Sequence, residues 1–476
     1  MKIQGRINLP LLFLLLFSYG CVTVPPPEPE EIRTSALGED ALPPTWMAEE
    51  TISTEILNGW LGTFEDAQLD ALVAEALANN PDLRVTASRL DRAAAYVGVA
   101  RAALYPQVGV RGSGSLKLGA DLESGLNGIV LGASWELDLW GRVRYERDAA
   151  LESLAAIQSD YVWARHSLAA ATANSWFLAT ETVLQKRAAA EMVTDAENLL
   201  VLAKKRAEVG AGDERDVAAA QASISSYQDN YLKLSLAHEN ALRALEVLLG
   251  RYPGADLEPR MDLPAFPGPV PAGIPLNVLE RRPDLFASER RVAEAFNRVG
   301  EAKAARLPRI SLTASGGAVD SNILELSPDF SNPFGSIGAG LIAPIFLGGQ
   351  LKAQVEVRTA EQQMAIDQYA GYALRALYEV ENSLAAEINL RLREQVLSSN
   401  VAQNERALLL EKVAFRVGTS DMRRVLGQQL ALNVARMGFI HLQSSRLTQR
   451  VNLHLALGGS FEVIEEQQEA IPSEEQ

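Results

Sequence analysis

The sequence has little of what catalysis and metal binding use. Its 476 residues contain one cysteine, Cys21, and four histidines, His166, His238, His441 and His454. A lone cysteine excludes an intramolecular disulfide. The histidines have no metal-ligand spacing, and His238-Glu239 is not followed by a second histidine four residues on, so it is no zinc-protease helix. GxSxG, P-loop and GxGxxG patterns are missing too. The expectation is a protein that is not an enzyme, with no metal and no cofactor. Basic residues are the minority, 44 Lys and Arg against 60 Asp and Glu, for a net charge of −16. No basic stripe interleaved with aromatics occurs, which points away from nucleic acid.

The most informative absence is local. Arg142 through Val209 contains no glycine and no proline. At about 1.5 Å of rise per residue it makes a helix of roughly 100 Å, where an average helix has about 11 to 12 residues. No compact domain encloses such a rod. Along its first part Ala150, Leu154, Ile157, Tyr161, Ala164, Leu168, Ala171, Ser175 and Leu178 recur at spacings of four and three. That period is a coiled-coil seam and predicts a left-handed supercoil against a neighbouring helix. The rod stops at Gly210, Asp213 is placed to N-cap the next helix, and Asp213–Leu249 again lacks glycine and proline.

The design occurs twice. A shift of 208 residues lays Leu139–Gly250 over Leu347–Gly458 without a gap. Gly141 falls on Gly349, Tyr161 on Tyr369, Val209-Gly210 on Val417-Gly418, Asp213 on Asp421 and Gln221 on Gln429. A shift of 202 lays Pro81–Gly114 over Pro283–Gly316. Solenoid repeats run about 20 to 50 residues, so this is a duplicated half-protein. The first repeat covers 65–250, with helices at Glu65–Asn79 and Pro81–Ala103 and a long hairpin over 142–249. The second covers 283–458, with its hairpin over 350–457. Between them 251–282 is rich in proline and reads as an irregular connector, in which Arg281-Arg282 is expected to form salt bridges. The acidic tail, 459–476, reads as disordered.

At the N-terminus, Lys2 and Arg6 precede Leu9–Phe17, an apolar run too short to span a membrane. This is the pattern of a secretory signal peptide over 1–20. Cys21 follows at once, as in bacterial lipoproteins whose thiol is acylated, although Ser18 stands where leucine is usual. Cys21 is the expected lipidation site. Pro25, Pro26, Pro27 and Pro29 predict an extended tether over 21–64.

Between helices the period changes to two. In 107–118, Val108, Val110, Leu116 and Leu118 alternate with Gln107, Arg111, Ser113 and Lys117; in 128–139, Ile129, Leu131, Trp135 and Leu137 alternate with Ser134, Glu136 and Asp138. The second copy repeats this over 309–318 and 336–347, where Ile310 and Leu312 alternate with Arg309, Ser311 and Thr313, and Ile337, Ala339, Leu341, Ala343, Ile345 and Leu347 share a face. Runs of this length cross a bilayer as tilted strands, for which about 9 to 11 residues suffice. One face suits lipid and the other water. Arg111, Lys117, Glu136, Asp138 and Arg309 are therefore the candidate lumen residues, and Trp135 and Trp140 fit an interfacial girdle or a core equally well. Four strands cannot close, because an open edge in lipid leaves backbone groups unpaired and bacterial barrels have at least about eight strands. The chain must oligomerise; periodicity alone does not choose between two copies and three.

Together these features resemble the outer-membrane efflux proteins, the TolC-like channels, and especially their lipoprotein branch. The resemblance is carried by Trp135-Glu136-Leu137-Asp138-Leu139-Trp140-Gly141-Arg142, by Leu279-Glu280-Arg281-Arg282-Pro283-Asp284-Leu285 and by the hairpin tips Arg206–Gln221 and Arg416–Gln429. It implies a fold that is mainly α with a membrane β-barrel portion, completed by a homotrimer as a twelve-stranded β-barrel and a twelve-helix α-barrel. The implied function is the passive outer-membrane duct of a tripartite efflux system, loaded by an inner-membrane resistance–nodulation–division pump through a periplasmic adaptor. Type I protein secretion and a poreless coiled-coil scaffold are the alternatives, and four alternating strands speak against the scaffold. At the tips, Asp213 and Asp421 are expected first as helix caps. Asp216 and Arg424, opposite in charge at one repeat position, are candidates to latch a periplasmic gate, and Val209, Gly210, Val417 and Gly418 are candidate adaptor contacts.

Overall fold

In a computed structural model of the chain, the described residues are 23–38, 42–48, 56, 58–113, 127–320 and 334–462. The expected signal peptide, Cys21, Lys117 and most of the acidic tail lie outside them. The chain divides into two compact units, one of Met1–Ala41, Ser88–Ser159 and Phe286–Tyr372, the other of Leu42–Ala87, Asp160–Leu285 and Ala373–Gln476.

The N-terminal segment departs from the expected tether. Helix α1 (Pro29–Leu37) opens on a proline, which its first turn tolerates, and buries Ile32 against Val292 and Tyr369. A 3-10 turn over Trp60–Phe64 buries Trp60 and Phe64 in the core of the second unit. Burial of apolar area, at about 25 cal/mol per Å², outweighs what the prolines alone suggest. Helices α2 (Ala67–Asn79) and α3 (Pro81–Ala102) follow, the first capped by Asp66, which accepts the N–H groups of Gln68 and Leu69.

Strands β1 (Gln107–Ser113) and β2 (Asn127–Leu137) lead into the long helix α4 (Arg142–Glu208) and its return, α5 (Glu214–Leu248). Within the connector lies a short helix, α6 (Pro275–Arg281), where an irregular chain was expected. The second repeat is α7 (Pro283–Ala304), β3 (Arg309–Asp320), β4 (Phe334–Ile342), α8 (Gln350–Arg416) and α9 (Met422–Ala456). Both long helices have 67 residues and both returns have 35. All four end alike, on a glycine of positive φ (Gly210, Gly250, Gly418 and Gly458) that lets the next N–H reach back into the last turn. Gly250 is further constrained: a Cβ there would sit 2.6 Å from the Asn79 carbonyl oxygen. Among the described residues no helix is long and apolar enough to cross a membrane.

Strand β4 stops five residues short of its expected end at 347. Pro344 has no N–H to continue a ladder, so Ala343, Ile345 and Leu347 belong to the turn into α8. The tail is also not wholly loose, for Phe461 is buried in the core of the second unit. That core joins Trp60, Phe64, Leu69, Trp176, Phe177, Leu245 and Val451. Trp176 donates its indole N–H to Asp66 at 3.0 Å, so one buried carboxylate both caps α2 and satisfies the tryptophan. The heptad seam is only half-buried in a single chain: Leu178 is 47% exposed, whereas Trp176 and Phe177 are sealed. Arg282 does hold the connector, bonding Asp284, Glu379 and the Ala456 carbonyl.

Candidate functional site

Two places carry the candidate residues. The first is the sheet, an antiparallel array in the order β1-β2-β3-β4. Residues opposite one another share a face, so the register assigns each side chain. Gln107, Ser134, Thr313 and Gly338 form one row, Gly109, Gly132, Ser315 and Ser336 another, and Glu136, Ser311 and Gly340 a third. Arg111 and Arg309 are on this face, and Ser315 and Ser336 share a hydrogen bond of 2.7 Å. The opposite face holds Val108, Ala133, Ala314 and Ile337 in one row and Val110 and Leu131 in the next. A third row has Trp135, Leu312 and Ala339, and a fourth Leu137, Ile310 and Leu341. The first face also carries Val130 and Phe334 in the row of Arg111 and Ile342 beside Arg309, so it is mixed but holds the charges of Arg111, Glu136 and Arg309, whereas the other is apolar. Gly317 is required by close packing: a Cβ would lie 2.2 Å from the Ile129 carbonyl oxygen.

Of the expected lumen residues, Arg111 and Arg309 are exposed on the mixed face. Glu136 is on it too, but accepts from Arg142 Nε at 3.0 Å. Asp138 is past the end of β2 and does other work. Its carboxylate accepts the backbone N–H groups of Val143 and Arg144, both at 3.0 Å, and so starts α4 across the Gly141 turn. Strand alternation, extended one step too far, placed it on the sheet. Arg142 and Arg144 were not singled out, although the Glu-x-Asp and Arg-x-Arg flanking Gly141 were legible as a pair. Trp135 and Trp140 each find a carbonyl, Leu104 at 2.9 Å and Pro308 at 2.7 Å. The second repeat has Pro344 and Phe346 where the first has Glu136 and Asp138, so this junction is built once per chain.

The second place is the pair of hairpin tips. Asp213 accepts the N–H of Arg215 at 2.9 Å, and Asp421 that of Arg424 at 2.9 Å, so both are N-caps. Arg215 also bonds the Asp213 side chain and holds its carboxyl below the usual range. Val209 and Val417 are 77% and 69% exposed. Among the described residues no ion pair joins Asp216 to Arg424 within the chain. Beneath the surface Leu199, Ala203, Ala220, Leu408, Phe415, Met422 and Val425 form a compact apolar tip core.

The histidines serve packing and local bonds. His238 shares a bond with Thr182 at 3.1 Å, His441 one with Glu181 at 2.8 Å, and His454 stacks on Trp60. No group of acidic, histidine or cysteine residues suited to a metal occurs among the described residues.

Comparison with known proteins agrees with this geometry. The sequence model described as "Outer membrane efflux protein" matches residues 72–251 and 274–459, the two repeats. The probable efflux pump outer membrane protein TtgC of Pseudomonas putida is 31% identical over 460 residues, 93% of each chain. The solved outer-membrane channel OprN superposes with a TM-score of 0.81 at 25% identity, over 92% of this chain and 100% of that one. The outer membrane protein VceC of Vibrio cholerae does so with a TM-score of 0.77 at 25% identity, over 86% and 100%.

Proposed function

The chain belongs to the outer membrane efflux protein family, and from that premise we propose how its own residues make a duct. It is an outer-membrane channel of a tripartite efflux system, with the TolC-like fold. The observation that carries the finer reading is the sheet: four strands, with β1 and β4 unpaired at their outer edges among the described residues, one apolar face, and one mixed face that carries Arg111, Glu136 and Arg309. In lipid such edges must be covered, and copies of the same chain supply matching ones. Three copies give a twelve-stranded barrel with the apolar face to lipid and Arg111, Glu136 and Arg309 toward water. Charge on the lipid face would cost about 2 to 4 kcal/mol near the midplane.

The homotrimer projects its helical hairpins into the periplasm, where an adaptor protein docks at Val209-Gly210 and Val417-Gly418 and a resistance–nodulation–division pump delivers cargo. Asp216 of one chain pairs with Arg424 of a neighbour to latch the ring, while Asp213 and Asp421 cap the helices beside them. Cys21 carries the lipid anchor. Two measurements test this. Mass determination in detergent should give a trimer, and a monomer would overturn the duct. Cysteines at Ser311 and Arg111 should react with an aqueous thiol reagent while ones at Leu312 and Val110 stay protected; the reverse would invert the barrel.

A further inference from the structure

Arg206 lies in the last turn of α4, and the shift of 208 lays it on Ala414, so what it does is done once per chain. One Nη donates to the carbonyl of Phe415 in the last turn of α8, and the other donates to the carbonyl of Ala211 at 3.0 Å. The guanidinium carbon is 4.3 Å from the centroid of the Phe415 ring. Phe415 is 1% exposed, in the tip core beside Met422 and Val425. The Phe415 carbonyl, which also accepts the Gly418 N–H at 3.2 Å, sits at the negative end of the α8 dipole, where a cation is favoured, and the Ala211 carbonyl lies in the turn just past the end of α4. A planar guanidinium donates to two carbonyls from a fixed fork while its flat face lies on an aromatic ring; an ammonium is a point charge without that flat fork.

We propose that Arg206 is an intrachain staple: it ties the end of the first hairpin to the end of the second and keeps the two tips of each chain together when the duct is shut. This rests on the reading of the tips as the gate and names a positioning residue for it. The staple differs from the Asp216–Arg424 latch in kind. It acts within one chain, from inside the tip, and its acceptors are backbone carbonyls. Carbonyls do not titrate, so this hold does not weaken at acid pH as a carboxylate latch would.

The test uses the full-length protein with Arg206→Met, which keeps the apolar stem, and Arg206→Lys, which keeps the charge but loses the fork. Spin labels at Val209 and Val417, both outside the staple, report the tip separation, and planar bilayers report conductance. The expectation for Arg206→Met is a longer, broader label separation and a severalfold rise in conductance that persists from neutral to mildly acid pH, with Arg206→Lys between it and the wild type. An unchanged separation overturns the staple. A longer separation with unchanged conductance also overturns the proposal, because the tie would then hold the tips without closing the duct. A wild-type protein that never conducts, open or shut, refutes the duct itself, and the label separations then still decide whether Arg206 ties the tips.

Discussion

Asp138 and Arg144 clasp each other across the turn that starts the first long helix. Asp138 Oδ2 accepts the Arg144 backbone N–H at 3.0 Å and its Nε at 3.1 Å. A helix leaves its first N–H groups without internal partners, and this carboxylate takes two of them. Loss of such a cap typically costs about 1 kcal/mol. Asp138→Ala should therefore lower the melting temperature of the detergent-solubilised protein, and Asp138→Asn should recover only part of the loss, because an amide offers one acceptor oxygen where the carboxylate uses both. Conductance should change little in either, since Asp138 lies beyond the strand. A conductance change without a stability change would return it to the lumen.

Arg282 sets a larger effect. It is 3% exposed, holds Asp284 through two bonds and Glu379 through a third, and lies 4.8 Å over the Trp163 ring. Burial works against its charge, but the bonds and charges of Asp284 and Glu379 outweigh it and raise the pKa. Breaking a fully buried pair by removing one partner costs about 3 to 5 kcal/mol. Here the carboxylates left behind, Asp284 and Glu379, reach solvent, so the cost of losing Arg282 falls below that range. Arg282→Ala should leave less trypsin-resistant protein in the membrane, and Arg282→Lys an intermediate amount. Wild-type levels of resistant protein in Arg282→Ala would show that this network carries no stability.

Gly300 gives a test of the N-terminal segment. A Cβ there would lie 2.6 Å from Tyr145 Cε1, and the Tyr145 hydroxyl accepts the Val24 N–H at 2.9 Å. Gly300→Ala must displace the ring, at the cost of about 1 to 3 kcal/mol usual for overpacking. The segment near Val24 should then be cut faster in limited proteolysis, and adding Tyr145→Ala should restore stability without restoring protection. Unchanged cutting in Gly300→Ala would mean that Tyr145 does not hold the segment.

Much of this was legible because it is one-dimensional. The missing glycines and prolines of 142–209, the shift of 208 and the glycine stops describe the long helices almost to the residue. What was not legible depends on single side chains meeting at long range. Ile32 and Phe461 are apolar residues in polar segments, with no periodicity to mark them, yet both are buried. Asp138 obeyed the strand pattern and served the helix. Arg206 reads as one more charge near a helix end until Phe415, far along the chain, is seen beneath it. The heptad stripe through Leu178 was visible, but a stripe does not say whether its partner lies in the same chain.

The last prediction concerns acid. His454 is buried in α9, its ring stacked on Trp60 with centroids 5.8 Å apart. Burial first, and the charge of Arg450 second, lower its pKa to about 3. An unfolded histidine titrates near about 6.5, so the unfolded chain takes up a proton that the folded one refuses. The contribution of the neutral ring to stability is complete above about pH 6.5 and is lost as the pH falls from there toward the folded pKa. Within that window each pH unit removes up to about 1.4 kcal/mol for a single group. His454→Phe keeps a flat ring against Trp60 and removes the titration. The melting temperature of the wild type should therefore drop further between pH 7 and pH 5 than that of His454→Phe. The variant should keep some slope, because burial also lowers the pKa of His166 and His238. Equal slopes in the two proteins would show that the buried ring does not govern acid sensitivity.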